Sequence, residues 1–269
     1  MGKGKVSDEA RRTTEERGAY AGIMAHMIAG FPDYERSLAV AHGLADGGCL
    51  YIELQFPFSE PTADGPFIQQ ACNHALEQGF SLRRGFALLE EIRRCTDRPI
   101  FLMSYANPIF VYGVESFLDA ARKAGARGII APDLPPDYDE GLYRLGPERG
   151  LDVVPVVSVN VSDQRLEFIS SRNTRYLYAA MRRGITGQRT EVGEENLRFL
   201  DRVRATGLDV MAGFGISERR QIELIAPHVH AAVVGTALVR DVMENPAEPY
   251  EPVRRKMAEL AGSSQRGPA

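Results

Sequence analysis

The chain has 269 residues, of which 44% are hydrophobic and 25% are charged, a composition typical of globular proteins. Its formal net charge of -4 and its pI near 5.8 provide no general basic field for nucleic acid. No apolar run approaches the roughly 20 residues that a membrane span needs, and the N-terminus is too polar for a signal peptide. These features predict a protein that binds neither nucleic acid nor membranes.

Cysteine usage indicates the compartment and argues against a metal site. Cys49, Cys72 and Cys95 are scattered, and no CxxC or Cys/His spacing is typical of zinc. A core of this size needs no disulfides, so we expect a reducing, cytoplasmic location. We predict neither a metal nor another cofactor.

Short apolar runs alternate with longer amphipathic ones along the chain. The predicted strands cover residues 22–28, 50–54, 100–104, 128–131, 153–157, 176–180, 209–212 and 231–234. The predicted helices cover residues 34–46, 66–78, 82–95, 114–123, 138–148, 163–171, 194–205, 218–226, 237–243 and 250–260. Strands that alternate with helices in this way indicate parallel βαβ units.

Eight such units without a linker predict one α/β domain, a single (β/α)8 TIM barrel. A doubly wound open sheet remains the alternative on pattern alone. We expect extra helices at the N-terminus and after strands two and eight. The predicted boundaries are a polar tail and surface helix at 1–17, the barrel at 18–261 and a disordered tail at 262–269.

Two acids at the end of the second predicted strand are the first candidates for chemistry. Glu53 lies inside an apolar strand, where a carboxylate costs free energy unless it is paired or functional. Asp64 follows in a Pro-rich loop, before a Gly-Pro pair. Different surroundings can separate the pKa values of two acids and make them an acid/base pair. A satisfied structural carboxylate and an ordinary turn aspartate remain the alternatives.

Glycine turns follow the seventh and eighth predicted strands. Gly213-Phe-Gly215 opens one helix, and Gly235-Thr236 opens the next. Glycine lets backbone N–H groups approach an anion at a helix N-terminus, and barrels bind phosphate at this position. We therefore predict a phosphate site there, against the alternative of plain tight turns. The loop from 179 to 187 is a candidate mobile lid.

Histidines and lysines narrow the reaction class. His228 and His230 flank the start of the last predicted strand, away from the catalytic face of a barrel, so they do not indicate a metal site. None of the four lysines lies at the C-terminus of a predicted strand, which argues against a Schiff-base aldolase. His26 differs because it lies inside the first predicted strand, where its side chain could face the pocket.

The chain resembles the tryptophan synthase alpha subunit family from about residue 20 to 260. The most specific likeness is Glu53-Leu-x-x-Pro-Phe-Ser-x-Pro-x-Ala-Asp64-Gly-Pro. Supporting motifs are Tyr105-Ala-Asn-Pro, Gly184-Ile-Thr186-Gly187 and Gly235-Thr236-Ala.

This resemblance implies cleavage of indole-3-glycerol phosphate to indole and glyceraldehyde 3-phosphate, without metal or Schiff base. It implies that Glu53 is the general acid/base and that Asp64 accepts the indole N–H. The matching residues imply that the substrate is lined by Tyr178, Tyr105, His26 and Thr186. They imply that phosphate is bound by Gly187, Gly215, Gly235 and Thr236.

The resemblance also implies a tryptophan synthase beta subunit as partner, in an alpha2beta2 assembly. The chain departs from the usual family residues at His26, Gln55, Glu60, Met181 and Arg183. Three alternatives therefore stay open: a stand-alone lyase that releases indole, a related phosphate-barrel enzyme, and an inactive regulatory subunit.

Overall fold

A ring of parallel strands surrounded by helices forms the architecture. The computed structural model describes residues 21–172, 174–181, 192–213 and 215–262. Within these residues the strands are β1 (Gly22–Ile28), β2 (Tyr51–Gln55), β3 (Ile100–Met103), β4 (Gly128–Ile130), β5 (Asp152–Val154), β6 (Val156–Ser158), β7 (Tyr176–Ala180), β8 (Asp209–Gly213) and β9 (Ala231–Val234). Their order in the sheet is β5-β4-β3-β2-β1-β9-β8-β7-β6.

Helices follow most strands and cover the outside of the ring. Among the described residues they are α1 (Tyr34–Asp46), α2 (Pro66–Glu77), α3 (Leu82–Cys95), α4 (Ala106–Tyr112), α5 (Val114–Ala124), α6 (Leu142–Glu148), α7 (Asp163–Ser170), α8 (Glu194–Arg204), α9 (Arg219–Ile225), α10 (Thr236–Glu244) and α11 (Tyr250–Ala261). No helix in this part of the chain is long and apolar enough to cross a membrane. The predicted TIM barrel is confirmed.

The ring closes through the fifth predicted strand, which Pro155 divides in two. Its first half, β5, pairs with β4, and its second half, β6, pairs with β7. Proline lacks the N–H that a continuous ladder needs, but its carbonyl accepts a hydrogen bond from Tyr178 N at 2.9 Å. The single predicted strand is therefore two short strands, each of which pairs with a different neighbouring strand.

Two layers of side chains fill the barrel. The larger core lies between the strands and the outer helices, while a second cluster lies inside the ring. In that inner cluster, Phe101 packs edge-to-face on Tyr51 and Tyr176, with centroid distances of 5.3 Å in both pairs. His230 also contacts Tyr51, with 2.8 Å between its Nε2 and the tyrosine hydroxyl oxygen. These rings fill the interior at the amino-terminal end of the barrel, and a cavity lies toward the carboxyl ends of the strands.

The predicted extra helices are found in part. Pairs of helices follow β2 and the last strand, β9, as predicted. A further helix, α4, follows β3 where no helix was predicted. The helix predicted from residue 138 begins at Leu142, because Asp139 accepts hydrogen bonds from the N–H groups of Gly141 and Tyr143 and holds a turn before it. The predicted segment 1–17 and, except for Gly262, the predicted tail 262–269 lie outside the described residues.

The last helix, α11, closes the fold by packing on α1 at a glycine. A Cβ atom added to Gly43 would lie 2.6 Å from the carbonyl oxygen of Tyr250. Because the backbone occupies that space, the two helices can approach this closely only with glycine at position 43.

We predict that Gly43→Ala lowers the free energy of unfolding by about 1–3 kcal/mol through overpacking, although alanine is the better helix former by about 1 kcal/mol. Urea unfolding followed by circular dichroism would measure the change. The exposed α2 substitution Gln70→Ala is the control and should stay within about 0.5 kcal/mol. A Gly43→Ala variant as stable as the wild type would show that the helices do not depend on this contact.

Candidate active site

A cavity of about 330 Å³ opens at the carboxyl ends of the strands. Its walls come from nearly every strand and from the loops that follow. The lining residues used below are His26, Glu53, Asp64, Tyr178, Gly215, Gly235, Thr236 and Arg240. Apolar side chains such as Met103, Ile130 and Val233 line much of the remainder. This is the catalytic end of a TIM barrel.

Glu53 is held in this cavity by His26. Glu53 is 4% exposed, and its Oε2 lies 2.7 Å from His26 Nδ1. The two residues are direct neighbours across the β1–β2 ladder, so their side chains project on the same side of the sheet. Burial lowers the pKa of His26, but the hydrogen bond to Glu53 and the charges of Glu53 and Asp64 raise it above its ordinary value overall.

Asp64 lies in the loop after β2 and is held by two neutral donors. Gln55 Nε2 donates to Asp64 Oδ2 at 2.7 Å, and the Tyr105 hydroxyl donates to the same oxygen at 2.8 Å. The loop is fixed as well, because the Ala63 N–H donates to the Tyr105 hydroxyl oxygen at 3.1 Å. Asp64 is therefore a buried, oriented carboxylate and not a surface turn residue.

The surroundings of Asp64 disfavour its charge. Burial raises its pKa most, Glu53 raises it further, and His26, Gln55 and Tyr105 offset only part of this increase. Across the cavity, burial and the two carboxylates raise the pKa of Tyr178 well above its ordinary value, so the phenol stays protonated. The site thus combines acids and a hydroxyl group in an enclosed space, as proton transfer requires.

The end of the cavity formed by the turns after β8 and β9 combines backbone groups with an acid, Glu218, and a cation. Gly215, with φ +86°, lies after β8, and Gly235 and Thr236 lie at the start of α10. Arg240, one helical turn after Thr236, also lines this end and stacks on the Phe67 ring at 4.9 Å. A helix N-terminus beside a cation favours an anionic group.

Comparison with known proteins identifies the family. The family model described as "Tryptophan synthase alpha chain" matches residues 12–266. The tryptophan synthase alpha chain of Leifsonia xyli subsp. xyli is 37% identical, covering 98% of this chain and 99% of the relative. That of Helicobacter hepaticus is 37% identical, covering 82% and 86%. This chain belongs to the tryptophan synthase alpha chain family.

Solved structures agree with the family assignment. Tryptophan synthase from Mycobacterium tuberculosis superposes with a TM-score of 0.83 at 30% identity, covering 93% of this chain and 94% of that chain. The tryptophan synthase A-subunit from Pyrococcus furiosus also has a TM-score of 0.83, at 33% identity, covering 90% and 98%. The barrel fold is therefore shared with these solved structures.

Most of the site residues predicted from the sequence meet in this one cavity. Those that line it are Glu53, Asp64, His26, Tyr178, Gly215, Gly235 and Thr236. Tyr105 is fully buried behind Asp64 and is not among the lining residues, so its contact with substrate stays a prediction. Thr186, Gly187 and most of the predicted lid lie outside the described residues.

Two contributors to the site were not predicted. Gln55 was noted only as an unusual residue, yet it donates a hydrogen bond to Asp64. Arg240 follows Thr236 at a spacing of four and therefore shares its face of α10. That helical spacing was the signal in the sequence that could have revealed Arg240.

We predict that Asp64→Asn raises the thermal unfolding midpoint at pH 7. The folded state raises the pKa of Asp64 above its unfolded value, so the ionised carboxylate destabilises the fold at neutral pH. That penalty disappears as the pH falls through the folded-state pKa, so the advantage of the variant should shrink toward pH 4. Calorimetry across this range would measure it, with the exposed Asp97→Asn as a charge control. A variant less stable than wild type at every pH would contradict the assignment.

Proposed function

We propose that this tryptophan synthase alpha-type lyase cleaves indole-3-glycerol phosphate to indole and glyceraldehyde 3-phosphate. The observation that carries the proposal is the pair of buried, separately held carboxylates, Glu53 and Asp64, in one largely apolar cavity with an anion-favouring end. An apolar wall suits an indole ring, and the turns after β8 and β9 suit a phosphate group. The family assignment supports the same substrate.

Glu53 acts as the general acid/base in this proposal. Carbon C3 of the indole must gain a proton before the ring can leave, and the adjacent glycerol hydroxyl must lose one as it becomes an aldehyde. A single carboxyl can deliver the first proton and collect the second, because the net reaction consumes none. Glu53 is suited to this role because β2 holds it in the cavity wall.

Asp64 and Tyr178 complete the proposed site around the ring. Asp64 accepts the indole N–H and stabilises the positive charge that develops on the ring when C3 is protonated. Gln55 and Tyr105 hold the carboxylate in place, so little reorganisation is needed during the reaction. Tyr178 remains a neutral phenol that lines the ring pocket.

The phosphate binds in this proposal at the end formed by the turns after β8 and β9. The N–H groups near Gly215 and Gly235 and the hydroxyl of Thr236 are its proposed donors, together with Gly187 and with Thr186 as an organiser of the closed site. Arg240 adds a positive charge at the same end. No metal, Schiff base or organic cofactor is required by these steps.

A beta subunit is the proposed partner, in an alpha2beta2 assembly. Three exposed apolar side chains lie on α4, the helix after the carboxyl end of β3, and we call Phe110, Val111 and Tyr112 the α4 patch. Val111 is 81% exposed. The start of α4 is tied to the loop after β4 because Ala106 N donates to Asp133 Oδ1 at 2.9 Å. Apolar side chains grouped in this way are typical of interaction surfaces.

The location that fits this activity is the cytoplasm. All three cysteines of the chain are free thiols, with Cys49 and Cys72 buried. Thiols without disulfides are typical of a reducing compartment.

We predict that Glu53→Gln lowers the rate of indole release at least about a hundredfold, because the amide cannot transfer the two protons. Indole would be measured by a coupled colour assay. The same variant should bind glycerol phosphate as tightly as wild type by calorimetry, since the phosphate end is untouched. Unchanged turnover would contradict the assigned role of Glu53.

We predict that Val111→Asp weakens binding to a tryptophan synthase beta subunit by about tenfold or more, because a charge replaces an apolar contact in the α4 patch. Titration calorimetry would measure the affinity. The matched control is Leu224→Asp, which places the same charge on exposed α9 across the barrel and should bind normally. Equal binding by both variants would place the partner surface elsewhere.

A further inference from the structure

His26 is a buried imidazole to which the proposed reaction assigns no proton transfer. It is 5% exposed, and its Nδ1 lies 2.7 Å from Glu53 Oε2. Its Nε2 is buried and has no hydrogen-bond partner among the described residues. An apolar ring would suit the wall of an indole pocket better than an imidazole does, because an unsatisfied buried nitrogen costs free energy. The only side-chain hydrogen bond that this histidine makes in the described structure is with Glu53.

The barrel fixes this contact independently of any substrate. His26 on β1 is the register partner of Glu53 on β2. Gly235 at the end of the neighbouring strand β9 lies against the imidazole, since a Cβ there would be 3.6 Å from the ring. The imidazole is therefore held in place by its own strand and by the strand on the other side.

The charged and titratable groups around His26 are few. Glu53 and Asp64 come from β2 and its loop, Tyr178 comes from β7, Glu218 comes from the turn before α9, and Arg240 comes from α10. The side of the ring toward α1 and α10 is apolar and is lined by Val40, Leu238, Val239 and Val242. The two carboxylates favour a proton on the imidazole, although burial opposes it, and Arg240 is the cation among the described residues that line the cavity.

We propose that His26 is the positioning residue of Glu53: its Nδ1–H orients the carboxylate and stores the proton that Glu53 delivers. This inference rests on the proposed function, because it requires Glu53 to act as an acid and then as a base. The resting pair is an imidazolium and a carboxylate, which together hold one transferable proton.

The proton balance closes over one turnover. The proton moves from His26 Nδ1 to Glu53 Oε2 and then to indole C3, and the carbon–carbon bond to the glycerol chain breaks. Its electron pair returns to the ring, and the glycerol oxygen forms the aldehyde as its hydroxyl proton passes to Glu53. That proton returns to His26 Nδ1, so the pair ends as it began.

The kinetic test compares His26→Phe, which removes the donor, with His26→Asn, which can donate from the Nδ1 position but cannot store a proton. We expect kcat to fall about a hundredfold in His26→Phe and about tenfold in His26→Asn, with KM little changed. In the wild type kcat should fall as the pH rises through the pKa of His26. In both variants this alkaline limb should move to lower pH.

The matched control is His42→Phe in α1, another histidine whose Nε2 is buried and unpartnered. It should keep the wild-type kcat and alkaline limb. An alkaline limb that stays in place in the two His26 variants overturns the proposal, even if kcat falls. A limb that moves equally in His42→Phe overturns it as well.

A second measurement separates this inference from the proposed function. In ¹⁵N NMR of the free protein, His26 should titrate above the ordinary value of about 6.5, and Glu53→Gln should lower that midpoint. An unchanged midpoint overturns the pairing. If the wild type releases no indole but His26 still responds to Glu53, the substrate assignment fails and the His26–Glu53 pair is supported.

Discussion

The burial of two carboxylates in an apolar barrel is the constraint on which the site depends. Removing an acid from water costs several kcal/mol unless neighbouring groups satisfy it. In this chain each acid has its own support: Glu53 has an imidazole from β1, and Asp64 has an amide and a phenol. Because the two supports differ chemically, the acids are not equivalent. One acid can exchange protons with its neighbour, while the other is held as an acceptor.

The barrel provides the positions that make this support possible. The strands are parallel, so side chains near their carboxyl ends gather at one rim. Phe101, Tyr51 and Tyr176 fill the opposite end, which confines a ligand to that rim. The ring closes where Pro155 allows one run to pair with β4 and then with β7. The fold therefore encloses the acids from all sides except the mouth.

Much of this arrangement was predictable from local sequence, and the failures have physical causes. Apolar runs located the strands, since a strand buried on both faces is apolar throughout. The helix α4 was missed because Asn107 and Pro108 are typical of a loop. Proline, which has no backbone N–H, is nevertheless tolerated in the first turn of a helix, because N–H groups there have no acceptor within the helix.

The contacts between the acids and their partners could not be read from the sequence. The contact between His26 and Glu53 depends on the register of β1 against β2, and sequence patterns do not specify the register of parallel strands. The bond from Gln55 to Asp64 depends on how the Pro-rich loop folds back over β2. Resemblance to the family identified the two acids, but it could not predict the contacts of residues at positions where this chain differs from the family.

The most direct test of the account is the release of indole from indole-3-glycerol phosphate by the purified chain, measured with and without a tryptophan synthase beta subunit. The account predicts indole and glyceraldehyde 3-phosphate in equal amounts in at least one of the two settings, without added metal or cofactor. Activity without the partner would identify a stand-alone lyase, and stimulation by the partner would identify a subunit. The absence of both products in both settings would contradict the account.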